Sequence, residues 1–145
     1  MTPSIDVEVV DARLRELSRR LERLASKRPA TLSALQADED LQDIVTRNLE
    51  LAIQSAINIA MHLCAAYGEV PAGGAEAFAK VAEHKVITRA LAQRLRRAVG
   101  FRNVLAHEYV EIDWAIVMNA LNEGAEDLTT FGRQVVKLLE SAELD

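Results

Sequence analysis

Residues 41–64 constrain the fold more than any other part of this chain. Leu41, Ile44, Val45, Leu49, Ala52, Ala56, Ile59 and Leu63 recur at helical spacing along one stripe, and Ile53, Ile57, Ala60 and Cys64 form a second stripe beside it. A helix that is apolar over more than half its circumference has to be buried on two sides. Such a segment belongs at the centre of a bundle, wrapped by amphipathic partners.

The partners are legible at the same period. Val7, Val10, Leu14, Leu17, Leu21 and Leu24 predict a helix over about 5–27, with Arg and Glu filling the positions between. Pro29 and the acidic residues 38–40 punctuate the chain, and Thr31 to Gln36 form one short helical turn between them. Gly68, Pro71, Gly73 and Gly74 end the central helix, and residues 75–84 read as a brief one. Ile87, Leu91, Leu95 and Ala98 carry another helix. Asp113 is the N-cap of a last helix whose stripe is Trp114, Val117, Leu121, Leu128, Phe131, Val135 and Leu138. Four long helices and one short one make an all-α bundle. Half of the residues are hydrophobic but only 4% aromatic, and six Gly and three Pro leave little turn material for a many-stranded sheet. A single domain over 1–145 is long enough to bury a core without staples.

Several chemistries find no residues here. The sequence has no Gly-rich phosphate loop and no His-Glu-x-x-His. His62, His84 and His107 lie on three different segments, so neither a metal site nor a cofactor is expected. Cys64 is the only cysteine, which rules out an intramolecular disulfide; in its apolar run it reads as a small core residue of a reducing compartment, not a nucleophile. His62 and His84 read as structural or surface residues. The first residues lack the basic start and apolar run of a signal peptide, and the longest uninterrupted apolar stretch, 59–66, is too short to cross a bilayer. The expectation is a cytoplasmic chain with no membrane partner.

The stretch GFRNVLAHEYVEID at 100–113 is different in kind. It sets Arg102, Asn103, His107 and Tyr109 within eight positions, where packing alone asks only for residues such as Val104 and Leu105. An imidazole can move protons near neutral pH, and a guanidinium beside it can neutralise charge building on a phosphorane. Those are the needs of RNA cleavage, because the ribose 2′-hydroxyl already supplies the nucleophile. In an unbroken helix Asn103 and His107 share a face and could hydrogen-bond, while Arg102 lies about 140° round from His107. Either the long arginine side chain curls back or the helix ends between them.

The net charge of −5 argues against strong unspecific affinity for nucleic acid. From His84 to His107, however, the chain carries Lys85, Arg89, Arg94, Arg96, Arg97 and Arg102 without one acid, whereas 108–145 carries nine acids against Arg133 and Lys137. That run is either a solvated helix face or a basic surface beside the motif, with Arg89, Arg94, Arg96 and Arg97 as candidate RNA contacts.

With RNVLAHEY, the following Ile112-Asp113 and the upstream RNLELAIQSAINIA at 47–60, the chain resembles the HepT-like branch of the HEPN families, whose motif is Arg-x4-His-x-Tyr. The resemblance spans about Asp6 to Leu139, and no motif position departs from it. It implies a homodimeric HEPN bundle acting as a metal-independent ribonuclease toxin of a type VII-like toxin–antitoxin pair, with a minimal nucleotidyltransferase as antitoxin. It assigns catalysis to Arg102 and His107, a supporting role to Asn103, and modification with AMP to Tyr109. Two alternatives stand beside these: the chain as a non-catalytic helical partner of the nucleotidyltransferase, and Tyr109 as a half-buried hydrogen-bonding anchor. In-line cleavage wants a base and an acid at once, and one motif histidine per chain calls for a twofold dimer. The second stripe of the central helix and the seam of the first helix are the surplus apolar surface expected to help build that interface.

Overall fold

The computed structural model describes residues 4–107 and 111–144, and every element among them is helical. In chain order these are α1 (Val7–Ser26), α2 (Leu32–Ala37), α3 (Glu39–Ala66), α4 (Gly74–Glu83), α5 (Arg89–Ala106), α6 (Trp114–Asn119), a π-helical turn (Ala120–Gly124) and α7 (Ala125–Leu144). The starts are written in short polar side chains that accept from backbone N–H groups left open by the first turn. Asp6 Oδ1 accepts from Val9 N at 3.3 Å, Thr31 Oγ1 from Ala34 N at 3.1 Å and Asp38 Oδ1 from Leu41 N at 3.0 Å. Thr88 Oγ1 accepts from Leu91 N at 3.1 Å, and Asp113 Oδ1 from Ala115 N at 3.0 Å.

α3 is the central helix. Ala52, Ala56, Ile59, Leu63 and Cys64 are sealed from solvent, as are Ile53 and Ile57 within a few per cent. By length and composition α3 would suffice to cross a bilayer, but more than half of its most apolar window is packed inside the bundle. Burial against neighbouring helices, not lipid, accounts for its hydropathy. α1 runs antiparallel along it, its start near His62 and Ala65 and its later turns near Asn48, where Arg20 Nη1 donates to Asn48 Oδ1 at 3.3 Å. Glu16, held below the usual carboxylate range by its hydrogen bond to Arg20, completes that polar strap. α7 runs antiparallel to α1, with Gly132 against Leu17 and Asn122 bonded to Arg28. Phe78 of α4 meets Phe131 of α7 edge-on, ring centroids 5.4 Å apart, deep in the one hydrophobic cluster that runs from Val10 to Leu139.

Three expectations change. The second stripe of α3, Ile53, Ile57, Ala60 and Cys64, is buried within the chain itself, so it offers no surplus surface for a dimer. The α1 seam is likewise buried at Val10, Leu17 and Leu24, leaving Leu14 and Leu21 to line a shallow groove against α7. The last helix is not one regular α-helix: a π turn interrupts it, and beyond that turn Leu139, not Leu138, is the deeply buried residue. The segment at 31–36 is a true short helix, and α4 begins on Gly74 because a Cβ there would come within 2.9 Å of the Ile57 side chain.

Candidate active site

α5 carries the motif, and its faces decide what each motif residue can do. At about 100° per residue, Leu91, Leu95 and Val99 form its core stripe, and all three are buried. Arg102 continues that stripe, seven residues beyond Leu95 and three beyond Val99. It is half-buried, and its Nε–H is shut from solvent with no hydrogen-bond partner among the described residues. An arginine on a core face is rare unless paired, because a desolvated donor without an acceptor costs free energy. Packing therefore does not explain Arg102.

The helix stops at Ala106. His107 takes φ −99° and ψ 89°, outside helical values, and its backbone N–H closes the last turn on Val104 O at 3.2 Å. Neither Gly nor Pro marks this end, which is why the sequence left it open. The exposed His107 thus leaves the path of α5, and the angular separation from Arg102 calculated for an unbroken helix no longer applies. Asn103 is exposed on the last turn. Tyr109 lies outside the described residues.

The candidate RNA-contacting arginines divide. Arg89, Arg94, Arg96 and Arg97 are all exposed, but they occupy two faces of α5. Arg89 and Arg96 share one with Asn103 by helical spacing. Arg94 and Arg97 line a cleft of about 240 Å³ together with Phe101. Arg94 Nε is already held by Asp127 Oδ1 at 2.9 Å across that cleft, so Arg97 is the arginine there with no ion-pair partner among the described residues. The opposite wall is Ile116, Asn119, Glu123 and Asp127, and Leu49 and Ile53 form the floor. The sequence reading missed Phe101, Asn119 and Glu123. No apolar signal marks the π turn in the sequence: Leu121 and Leu128 stand seven residues apart, the ordinary two-turn spacing of one α-helical face.

Other polar groups resolve as structure. Cys64 is sealed in the core, its thiol pushed up to about 11 by burial, with Sγ donating to Ala77 O at 3.5 Å. His84 stacks on Tyr67 at 4.1 Å and meets Glu69 Oε1 through Nε2 at 3.3 Å. This cluster sits at the α3–α4 corner, away from the motif end of α5. Among the described residues no three His, Cys, Asp or Glu side chains are grouped to hold a metal.

Comparison with known proteins finds relatives along most of the chain. Residues 14–135 match the family model described as Ribonuclease HepT-like. The mRNA nuclease HepT of Shewanella oneidensis is 31% identical over 100 residues, 68% of this chain and 75% of that protein. The tRNA nuclease HepT of Aphanizomenon flos-aquae is 27% identical over 144 residues, 97% of this chain and 96% of its own. Among solved structures, the tri-AMPylated Shewanella oneidensis HEPN toxin in complex with its MNT antitoxin superposes with a TM-score of 0.82 at 25% identity, covering 92% of this chain and 99% of that one.

Proposed function

The chain belongs to the HepT-like family of HEPN toxins, and from that membership we propose that it is an RNA endonuclease toxin whose cleavage is carried by Arg102 and His107. The observation that carries the reading is Arg102 itself: a guanidinium set on the core stripe of α5, its Nε–H buried and unbonded, five residues before a histidine that has left the helix. A charge kept where an apolar residue would suit the fold is what a site for a phosphate requires.

The mechanism needs nothing the chain lacks. The RNA 2′-hydroxyl attacks the adjacent phosphorus, one His107 accepts its proton, Arg102 neutralises the equatorial oxygens, and a second His107 protonates the leaving 5′-oxygen. The product is a 2′,3′-cyclic phosphate, and no metal ion takes part. Because one imidazole cannot be base and acid in the same event, the working unit is a homodimer with its two motifs facing one cleft. Exposed Val104 and Ile116, near the motif, supply apolar surface for such a contact.

The neutralising partner is a minimal nucleotidyltransferase that transfers AMP from ATP to the Tyr109 hydroxyl. The relatives support this reading: a similar toxin has been crystallised in AMPylated form with its MNT antitoxin. Each AMP added two residues past His107 brings a phosphate that competes for Arg102. The chain acts in the cytoplasm, where both RNA and the antitoxin's ATP are found. Purified protein should cut RNA in EDTA, spare DNA and leave cyclic phosphate ends, and His107→Ala should lower the rate by on the order of a hundredfold or more. Full-rate cutting by that variant would remove the motif from the mechanism. Adenylate mapped by peptide mass spectrometry to residues other than Tyr109 would remove the switch.

A further inference from the structure

The cleft between α5 and the π turn has no task in the chemistry above, yet it is built unlike a packing defect. Its floor is apolar, with Leu49 and Ile53; Phe101 forms one side; Asn119 and Glu123 stand on the other. Glu123 and Asn119 are both exposed at the rim. Neither side chain has an ion pair or hydrogen bond among the described residues, whereas the neighbouring Asp127 is occupied by Arg94. Asn119 and Glu123, four residues apart, share one helical face and so stand at the same opening, and the π turn that begins at Ala120 is of a kind that recurs at functional sites. At about 240 Å³ the cleft is below the roughly 300–1,000 Å³ of pockets that enclose drug-sized ligands. It suits one planar ring system, not a whole nucleotide.

Resting on the ribonuclease reading, we infer that this cleft is the base-specificity pocket of the enzyme and that it takes guanine. Phe101 adjoins Arg102 in sequence, so a base stacked against its ring belongs to a nucleotide close to the scissile phosphate. A carboxylate accepts two hydrogen bonds side by side, and guanine is the standard base with two adjacent donors on its Watson–Crick edge, N1–H and the N2 amino group. Glu123 matches that edge, Asn119 Nδ2 can donate to guanine O6, and Arg97 at the rim meets a neighbouring phosphate. Adenine, cytosine and uracil each leave the carboxylate with one donor or none.

Two arms test this with the full-length protein. In the first, cut positions are sequenced on a random-sequence RNA library. Guanosine should be enriched at one fixed position from the cut, and either Glu123→Gln or inosine in place of guanosine, which removes the N2 amino group, should lower that enrichment about tenfold. Cutting without base bias, or a bias unchanged in Glu123→Gln, overturns the pocket while leaving the nuclease intact. In the second, guanosine 5′-monophosphate is titrated while the Ile116 and Leu49 methyl groups are followed by NMR. Saturable shifts that weaken about tenfold for inosine and adenosine monophosphates and in Phe101→Leu support the pocket even if the protein cuts no RNA, in which case the nuclease reading alone falls. No shift at millimolar guanosine monophosphate overturns the pocket.

Discussion

Arg102 sits where leucine or methionine would serve the fold better. Its neighbours on the stripe, Leu95 and Val99, are buried, and its own Nε–H is sealed without an acceptor. Replacing such a group by an apolar side chain of similar length removes the desolvation cost and keeps the packing. Arg102→Met should therefore raise unfolding free energy by about 1 kcal/mol in denaturant titrations, opposite to the loss expected of a structural arginine. Cys64 behaves the other way, as a residue the core needs. Its thiol, pushed up to about 11 by burial, stays protonated in the fold at pH values where the unfolded thiol ionises. Stability from this group is therefore fully present below about pH 9 and is lost as pH rises toward 11. Iodoacetamide at pH 8 should leave Cys64 unmodified until the protein is unfolded, and rapid labelling of the native chain would contradict its sealed position. That Arg102 faces inward was implicit in the period of Leu91 and Leu95, yet comparison with His107 alone concealed it. The backbone at His107, by contrast, departs from the helix without a stop residue to announce it.

At the scale of elements, an N-cap links one side chain to the next turn, and Asp113 caps the last helix where the sequence suggests; Asp38 and Thr88 cap α3 and α5 in the same way, at starts the apolar spacing alone did not mark. Helix ends were legible where the sequence carries a stop, as Pro29 does just past α1 and glycine does where it takes the left-handed conformation. Gly68 does so after α3 at φ 76°. Lys85 does the same after α4 at φ 63°, with no glycine to signal it. A lysine there carries backbone strain that glycine would not, set against the greater entropy glycine loses on folding. Lys85→Gly should stabilise the protein by about 0.5–1 kcal/mol, whereas Gly68→Ala should cost about 1 kcal/mol, both read from denaturant midpoints. If Lys85→Gly destabilises, the turn after α4 is held by the lysine side chain and not merely tolerated by it. The π turn at 120–124 was illegible because Leu121 and Leu128 keep the seven-residue spacing of an ordinary α-helical face, so the apolar period carries no mark of it.

For the whole molecule, the two stripes of α3 determined the bundle and were used up by it, which moves the proposed dimer contact from the core helix to the motif end. Light scattering at micromolar concentration should give twice the chain mass, and Val104→Asp, which puts a charge on an exposed apolar position beside the motif, should halve it. A monomer that still cuts RNA would end the shared-cleft mechanism. Activity should also fall as salt rises, because the overall charge of −5 confines phosphate attraction to the arginines of α5. The most direct test of the central claim is the rate at which purified wild type and Arg102→Met cut the same RNA in EDTA, measured beside their melting curves. Arg102→Met should fold at least as stably as wild type and cut at least on the order of a hundredfold more slowly; cutting at the wild-type rate would show that Arg102 takes no part in the reaction.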